Sequence, residues 1–212
     1  MERRYDVHFE IAGPAAMFTR PDTGSAFTSY PAPTYSAAKG MFEAVARIKT
    51  AYIRPIRVEI CCPIRYEKYV TNYGGPLRKQ KQVKDGTPYQ LMALILVDVC
   101  YRIYGIVEEV ASPNKDSHGR PLNHLHLLQD KFETRLRNGR FYYMPCLGWK
   151  EFVPSYMGPF RPETKVETDY SETIPSMLHT VFDKPIDGTK QPVFRHNVEI
   201  KNGVLEYDQR DS

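Results

Sequence analysis

Ser29-Tyr30-Pro31-Ala32-Pro33-Thr34-Tyr35-Ser36-Ala37-Ala38-Lys39-Gly40-Met41-Phe42-Glu43-Ala44-Val45-Ala46-Arg47-Ile48 is the stretch from which the rest of the chain is read. The two prolines force an extended entry, and Thr34 is placed to cap a helix. Ala38, Met41, Phe42, Val45 and Ile48 then recur at helical spacing, which predicts a helix laid on a sheet by one apolar stripe. Lys39 and Arg47 fall off that stripe. Gly40 costs a helix about 1 kcal/mol relative to Ala, so a backbone or a ligand is expected to approach closely there.

Working outward, Tyr5, Val7, Phe9 and Ile11 alternate with Asp6, His8 and Glu10, the pattern of a half-buried strand ended by Gly13-Pro14. His8 falls on the polar side, with no chemical role indicated. After the helix, Ile56, Val58, Ile60, Cys62 and Ile64 form a second alternating run. Leu91–Val110 is strongly apolar and alternates through Val97, Val99, Tyr101 and Ile103, predicting a long central strand. Residues 112–121 read as a loop. A second helix is predicted over 122–138, with Leu125, Leu128, Phe132 and Leu136 buried and Gly139 as its stop. Phe141–Phe152 reads as a further strand broken by Pro145 and Gly148.

Strand, helix, two strands, helix, strand is the order of an α+β, ferredoxin-like (RNA-recognition-type) antiparallel sheet carrying two helices. We expect it to occupy residues 1–152. Residues 153–212 are expected to form a small C-terminal antiparallel β appendage, because Asn202-Gly203 sits between Val198-Glu199-Ile200 and Val204-Leu205. The fold hosts many functions and decides none of them.

The chain has 212 residues, 42% of them hydrophobic and 25% charged, which is the composition of a soluble globular protein. No apolar run approaches the roughly 20 residues of a membrane span, and Met1-Glu2-Arg3-Arg4 lacks an apolar signal region, so a cytoplasmic location is expected. The four cysteines (Cys61, Cys62, Cys100, Cys146) form no Cys-x-x-Cys pair and read as small buried hydrophobes. No metal and no cofactor is indicated.

The net charge of +4 resides in one segment, since six basic and two acidic residues lie between Arg65 and Tyr89. There the alternation lapses. Arg78, Lys79, Lys81 and Lys84 mix with Tyr66, Tyr69, Tyr73 and Tyr89 in a long insert over about 66–90. Lysine and arginine neutralise phosphate and tyrosine offers bases a stacking face, a mixture suited to single-stranded RNA.

The run Phe18-Thr19-Arg20-Pro21, followed by Ser29-Tyr30, Pro33-Thr34, Ser36-Ala37 and Gly40, resembles the signature of the fifth CRISPR-associated protein family, in its type I-C (Dvulg) branch of the RAMP superfamily. Pro145-Cys146-Leu147-Gly148-Trp149-Lys150-Glu151-Phe152 is similar to the family's Pro-x-Leu-Gly-x-Arg-Glu-Phe run, with Lys150 where Arg is usual. Pro192-Val193-Phe194 and Gly203-Val204 are similar to its C-terminal hairpin. The resemblance implies a subunit of the Cascade interference complex that grips the 5′ handle of the CRISPR RNA (crRNA). Implied partners are the backbone and large subunits, target DNA indirectly, and no membrane. The RNA contacts would fall on Arg20, Tyr30, Lys39, Arg47, Arg78, Lys79, Lys81, Lys84 and Lys150.

The resemblance also implies metal-independent scission of the precursor RNA, using a Tyr or His as acid or base and a Lys-His pair on the second helix. Those positions fall on Ala46, Leu127 and Leu128 here, and none of these side chains moves a proton or carries charge. A displaced site on His124 and Lys131 is the remaining enzymatic alternative. His124 and His126 lie about 200° apart around a helix, which is poor geometry for a shared metal. A third reading is a scaffold that docks neighbouring subunits with little RNA affinity of its own.

Overall fold

The computed structural model describes residues 4–24, 26–73, 80, 84–85, 89–110 and 123–208. Its strands are β1 (Asp6–Ala16), β2 (Phe27–Thr28), β3 (Ala51–Ile60), β4 (Tyr66–Tyr73), β5 (Tyr89–Glu109), β6 (Tyr156–Gly158), β7 (Glu172–Phe182), β8 (Lys190–Lys201) and β9 (Val204–Glu206). The helices are α1 (Tyr35–Val45) and α2 (His124–Arg137). The strands join one sheet in the order β6-β1-β5-β3-β9-β8-β7, with β2 and β4 paired to β5. Its first four members, all antiparallel, reproduce the ferredoxin-like order, in which the strands flanking each helix are separated by another strand. The class read from the sequence therefore holds.

The fourth strand of that motif is not the predicted segment. Phe141–Phe152 is irregular, and the short β6 supplies the pairing to β1 instead. Gly148 explains the difference. Its φ is +90°, and a Cβ there would lie 1.9 Å from the carbonyl oxygen of Met17, so the chain turns back beneath the end of β1. Met17 N–H donates to the Leu147 carbonyl and Leu147 N–H to the Phe152 carbonyl, burying Leu147 completely.

Both helices pack on one sheet face, where Phe9, Phe42 and Phe132 meet with ring centroids 4.9–6.2 Å apart. The Thr34 side chain accepts from Ala37 N–H at 3.1 Å, as its capping position requires. Thr34→Ala is expected to cost about 1 kcal/mol, read as a fall of roughly 2–4 °C in a thermal melt. Helix α1 stops three residues short of Ile48. Ala46 is extended, and the carbonyls at the helix end are taken by distant groups: Tyr142 N–H on Ala44 and Arg135 Nη1 on Val45. The close approach expected at Gly40 is not found, because a Cβ there would meet nothing within 4 Å.

Two further expectations are corrected. The insert is not irregular at its ends, because β4 pairs with β5 from Tyr66↔Leu96 to Tyr73↔Tyr89. Of the cysteines only Cys100 is buried, and the second strand ends at Ile60, before Cys61 and Cys62. The C-terminal hairpin forms at Asn202 (φ 50°) and Gly203 (φ 75°), the paired left-handed residues of a tight turn. Through β9 it continues the main sheet beside β3. Among the described residues no helix is long and apolar enough to cross a membrane.

Candidate nucleic-acid interface

The end of the helical layer is built by contacts to the last carbonyls of α1. Lys131 and Arg135 of α2 reach the carbonyls of Arg47 and Val45, and the chain after α2 returns to Ala44 through the Tyr142 and Tyr143 amides. Tyr143 Oη donates to the Gly40 carbonyl at 3.0 Å. These contacts set the end of α1, followed by Arg47, beside the end of α2, which carries Arg137 and is followed by Arg140. Lys49 lies beyond Arg47, next to Thr50, which meets His124 at the start of α2, and all four cations are exposed. Among the described residues no carboxylate lies within ion-pair distance of any of the four. Cations complement the α2 C-terminus electrostatically. Four unpaired ones also make a positive ridge suited to a polyanion.

Beside that ridge, Tyr142 (56% exposed), Tyr143 (43%) and Met144 (68%) present large apolar surface to solvent. Cations interleaved with exposed aromatic rings are the composition of single-stranded nucleic-acid surfaces. Sequence reading missed this patch because its members come from two helix ends and one loop. The one local signal was the cluster Arg135, Arg137, Arg140, Tyr142 and Tyr143.

The residues singled out in advance divide sharply. Arg47 joins the ridge, and Lys84 and Lys150 are exposed. Arg78, Lys79 and Lys81 lie outside the described residues. Arg20 is held by Asp22 at 2.8 Å and lies over the Tyr30 ring. Lys39 is bound by Glu43 at 2.6 Å and by the Pro185 carbonyl at 2.7 Å. Tyr30 is 1% exposed; its hydroxyl donates to the Ser176 carbonyl and accepts from Leu178 N–H, so no ring face remains for a base.

Ala46 and Leu128, two of the positions that would carry catalysis by resemblance, do meet, lining one shallow pocket with Arg47 and Tyr52. Both are buried and inert, while Leu127 points outward, 44% exposed. His124 is not a solvated residue at the helix start: it is buried, with Nδ1 2.8 Å from Thr50 Oγ1. Lys131 lies two helical turns away, about 10 Å along the axis, and is directed at Arg47. The structure therefore does not assemble His124 and Lys131 into one site. His126 faces Asp130 instead of His124.

On the opposite sheet face Glu10 is wholly buried, a residue the alternation had placed among the polar, outward set. It accepts from Arg161 Nε at 2.5 Å, Thr164 Oγ1 at 2.8 Å, Arg161 N–H at 3.2 Å and Arg102 Nε at 3.3 Å. Burial alone would push its carboxyl up. The hydrogen bonds from Arg161, Thr164 and Arg102 outweigh that and hold it below the usual carboxylate range.

The ferredoxin-like fold decides no function by itself, and the exposed cations and aromatic rings at the helix ends have the composition of a nucleic-acid surface; comparison with known proteins narrows the class. The chain belongs to the CRISPR-associated Cas5 family, matching its Cas5d model over residues 6–208. It is 27% identical to the CRISPR pre-crRNA endoribonuclease Cas5d of Thermus thermophilus, over 93% of this chain and 89% of that one. It is likewise 27% identical to the protein of the same name from Mannheimia succiniciproducens, over 94% and 93%. Among solved structures, one described as a CRISPR-associated protein superposes with a TM-score of 0.68 at 19% identity, covering 97% of this chain and 92% of that chain. A chain of a CRISPR RNA-guided surveillance complex gives 0.50 at 13% identity, covering 95% and 90%.

Proposed function

We propose that this protein is an RNA-binding subunit of a type I CRISPR interference complex, of the I-C branch, and that it holds the 5′ handle of the crRNA. The observation that carries the reading is the unpaired ridge of Arg47, Lys49, Arg137 and Arg140 beside Tyr142 and Tyr143, on a chain of the Cas5 family. Arg47, Lys84 and Lys150, with the insert cations Arg78, Lys79 and Lys81, supply backbone contacts in this proposal. Arg20 and Lys39 act within the fold through their ion pairs. The expected boundary at residue 152 does not divide the sheet, because β6 completes the ferredoxin-like motif and β9 pairs with β3. The RNA-holding part therefore includes residues 156–158, and the β7–β8 hairpin is the part proposed to face the backbone and large subunits. The assembly works in the cytoplasm and reaches target DNA only through its RNA.

The relatives named as pre-crRNA endoribonucleases favour a second reading, metal-independent cutting of repeats. Ala46 and Leu128 argue against the inherited chemistry, because neither can donate, accept or stabilise charge on a phosphate. The binding proposal is tested by titrating purified protein into labelled single-stranded repeat RNA at 50 and 200 mM salt. Saturable binding that weakens steeply with salt is expected. Absence of binding at the lower salt would leave the scaffold reading instead.

A further inference from the structure

On the sheet face without helices, His8 of β1, Tyr104 of β5 and Arg57 of β3 stand in one cross-strand register. A third ring, Phe160, packs against both His8 and Tyr104. His8 lies 4.4 Å from Phe160, the Arg57 guanidinium lies 4.1 Å over Tyr104, and Tyr104 meets Phe160 edge-on at 5.3 Å. Phe160 is held in place: Arg102 Nη2 donates to the carbonyls of Arg161 and Thr164, and both residues bond Glu10 below. The wall is thus built before any ligand arrives.

Against this ladder opens a cavity of about 310 Å³ lined by His8, Arg57, Tyr104, Arg4, Asp6 and Glu206. Its charges are balanced. Arg4 pairs with Asp6 at 3.0 Å and Arg57 with Glu59 at 3.1 Å, while Glu206 has no ion pair among the described residues. Such a cavity does not attract phosphate. It offers planar surfaces and a carboxylate, the complement of a base. Guanine alone among the four bases presents two adjacent N–H donors, N1–H and the 2-amino group, to one ionised carboxylate. Rings on central strands are also how RNA-recognition sheets receive unstacked bases.

We propose that this face binds one unpaired guanine of the RNA, stacked on the His8 and Arg57 planes and read by Glu206. The inference rests on the RNA-holding reading above, but on a surface separate from the basic ridge. It is tested by fluorescence anisotropy on a short single strand with one central guanine, against the same strand carrying inosine, which lacks the 2-amino group. Wild type is expected to prefer guanine. His8→Ala is expected to bind about tenfold more weakly, within the span of one base stack, and His8→Phe to retain binding. The salt slope should not change, since no phosphate contact is lost. Equal binding of both strands by wild type, unchanged binding in His8→Ala, or equal loss in His8→Ala and His8→Phe overturns this inference and leaves the ridge untouched. No binding by wild type to either strand overturns the RNA-holding reading itself.

Discussion

Replacing Arg47, Arg137 and Arg140 together by alanine is expected to weaken binding of single-stranded repeat RNA about fiftyfold at 0.15 M salt. The estimate follows from counterion release. Each cation that neutralises a phosphate on a single strand contributes about 0.7 to the slope of log K against log salt, worth about fourfold in affinity at that concentration. Three such contacts also predict a slope shallower by about 2. All three side chains are exposed and, among the described residues, lie in no ion pair, so the variant should melt within about 2–4 °C of the wild type, the difference being the complement Arg137 gives to the α2 C-terminus. A matching loss of affinity with an unchanged slope would mean that these cations do not touch the RNA backbone.

The second large effect is on stability. Glu10→Ala removes the carboxylate that receives Arg161, Thr164 and Arg102 at a fully buried point of the sheet. The arginines left behind, Arg161 and Arg102, are 36% and 17% exposed and regain water in part, so the loss of these charge-assisted hydrogen bonds costs about 1.5–3 kcal/mol. For a chain of this length that is a fall of roughly 5–10 °C in melting temperature. It also has a pH signature. The folded-state pKa of Glu10 is depressed, so its contribution is fully present above the ordinary carboxylate pKa and is lost as pH falls through the lower folded value. Acid titration of wild type and Glu10→Ala should therefore show their stabilities converging below about pH 4. Parallel curves down to pH 2 would contradict the assignment.

These two predictions draw on features of different legibility. The Thr34 cap, the alternation of β5, the α2 stripe of Leu128, Phe132 and Leu136, and the Asn202-Gly203 turn were readable because each is fixed by neighbours within a few residues. Glu10 was not. Its two-residue period placed it correctly on the face away from the helices, but that face is covered there by Arg161 and Thr164, 151 and 154 residues further on. Tyr30 misled for the same reason, since its hydroxyl partner Ser176 is 146 residues away. The end of α1 depends on Arg135 and Tyr142, and β6 is only three residues long, too short to carry a period. The basic ridge combines both situations. Arg47 was visible beside the helix, but its company of Arg137, Arg140, Tyr142 and Tyr143 is assembled only by tertiary contact.

The apolar pair at Ala46 and Leu128 has the widest consequence. Family resemblance placed catalytic groups there, and the two side chains line one pocket with Arg47 and Tyr52. On the proposed reading, with hydrocarbon at the positions of the expected acid, base and charge stabiliser, the helix ends serve to hold RNA, and maturation of the guide is assigned to another nuclease.

The direct test is to incubate the purified protein with end-labelled repeat RNA in EDTA and resolve the mixture on native and denaturing gels side by side. The account predicts a shifted band on the first and intact RNA on the second. A single discrete cleavage product would contradict it, and persistence of that product in His124→Ala would further require a catalytic site built from residues other than Ala46, Leu128 and His124.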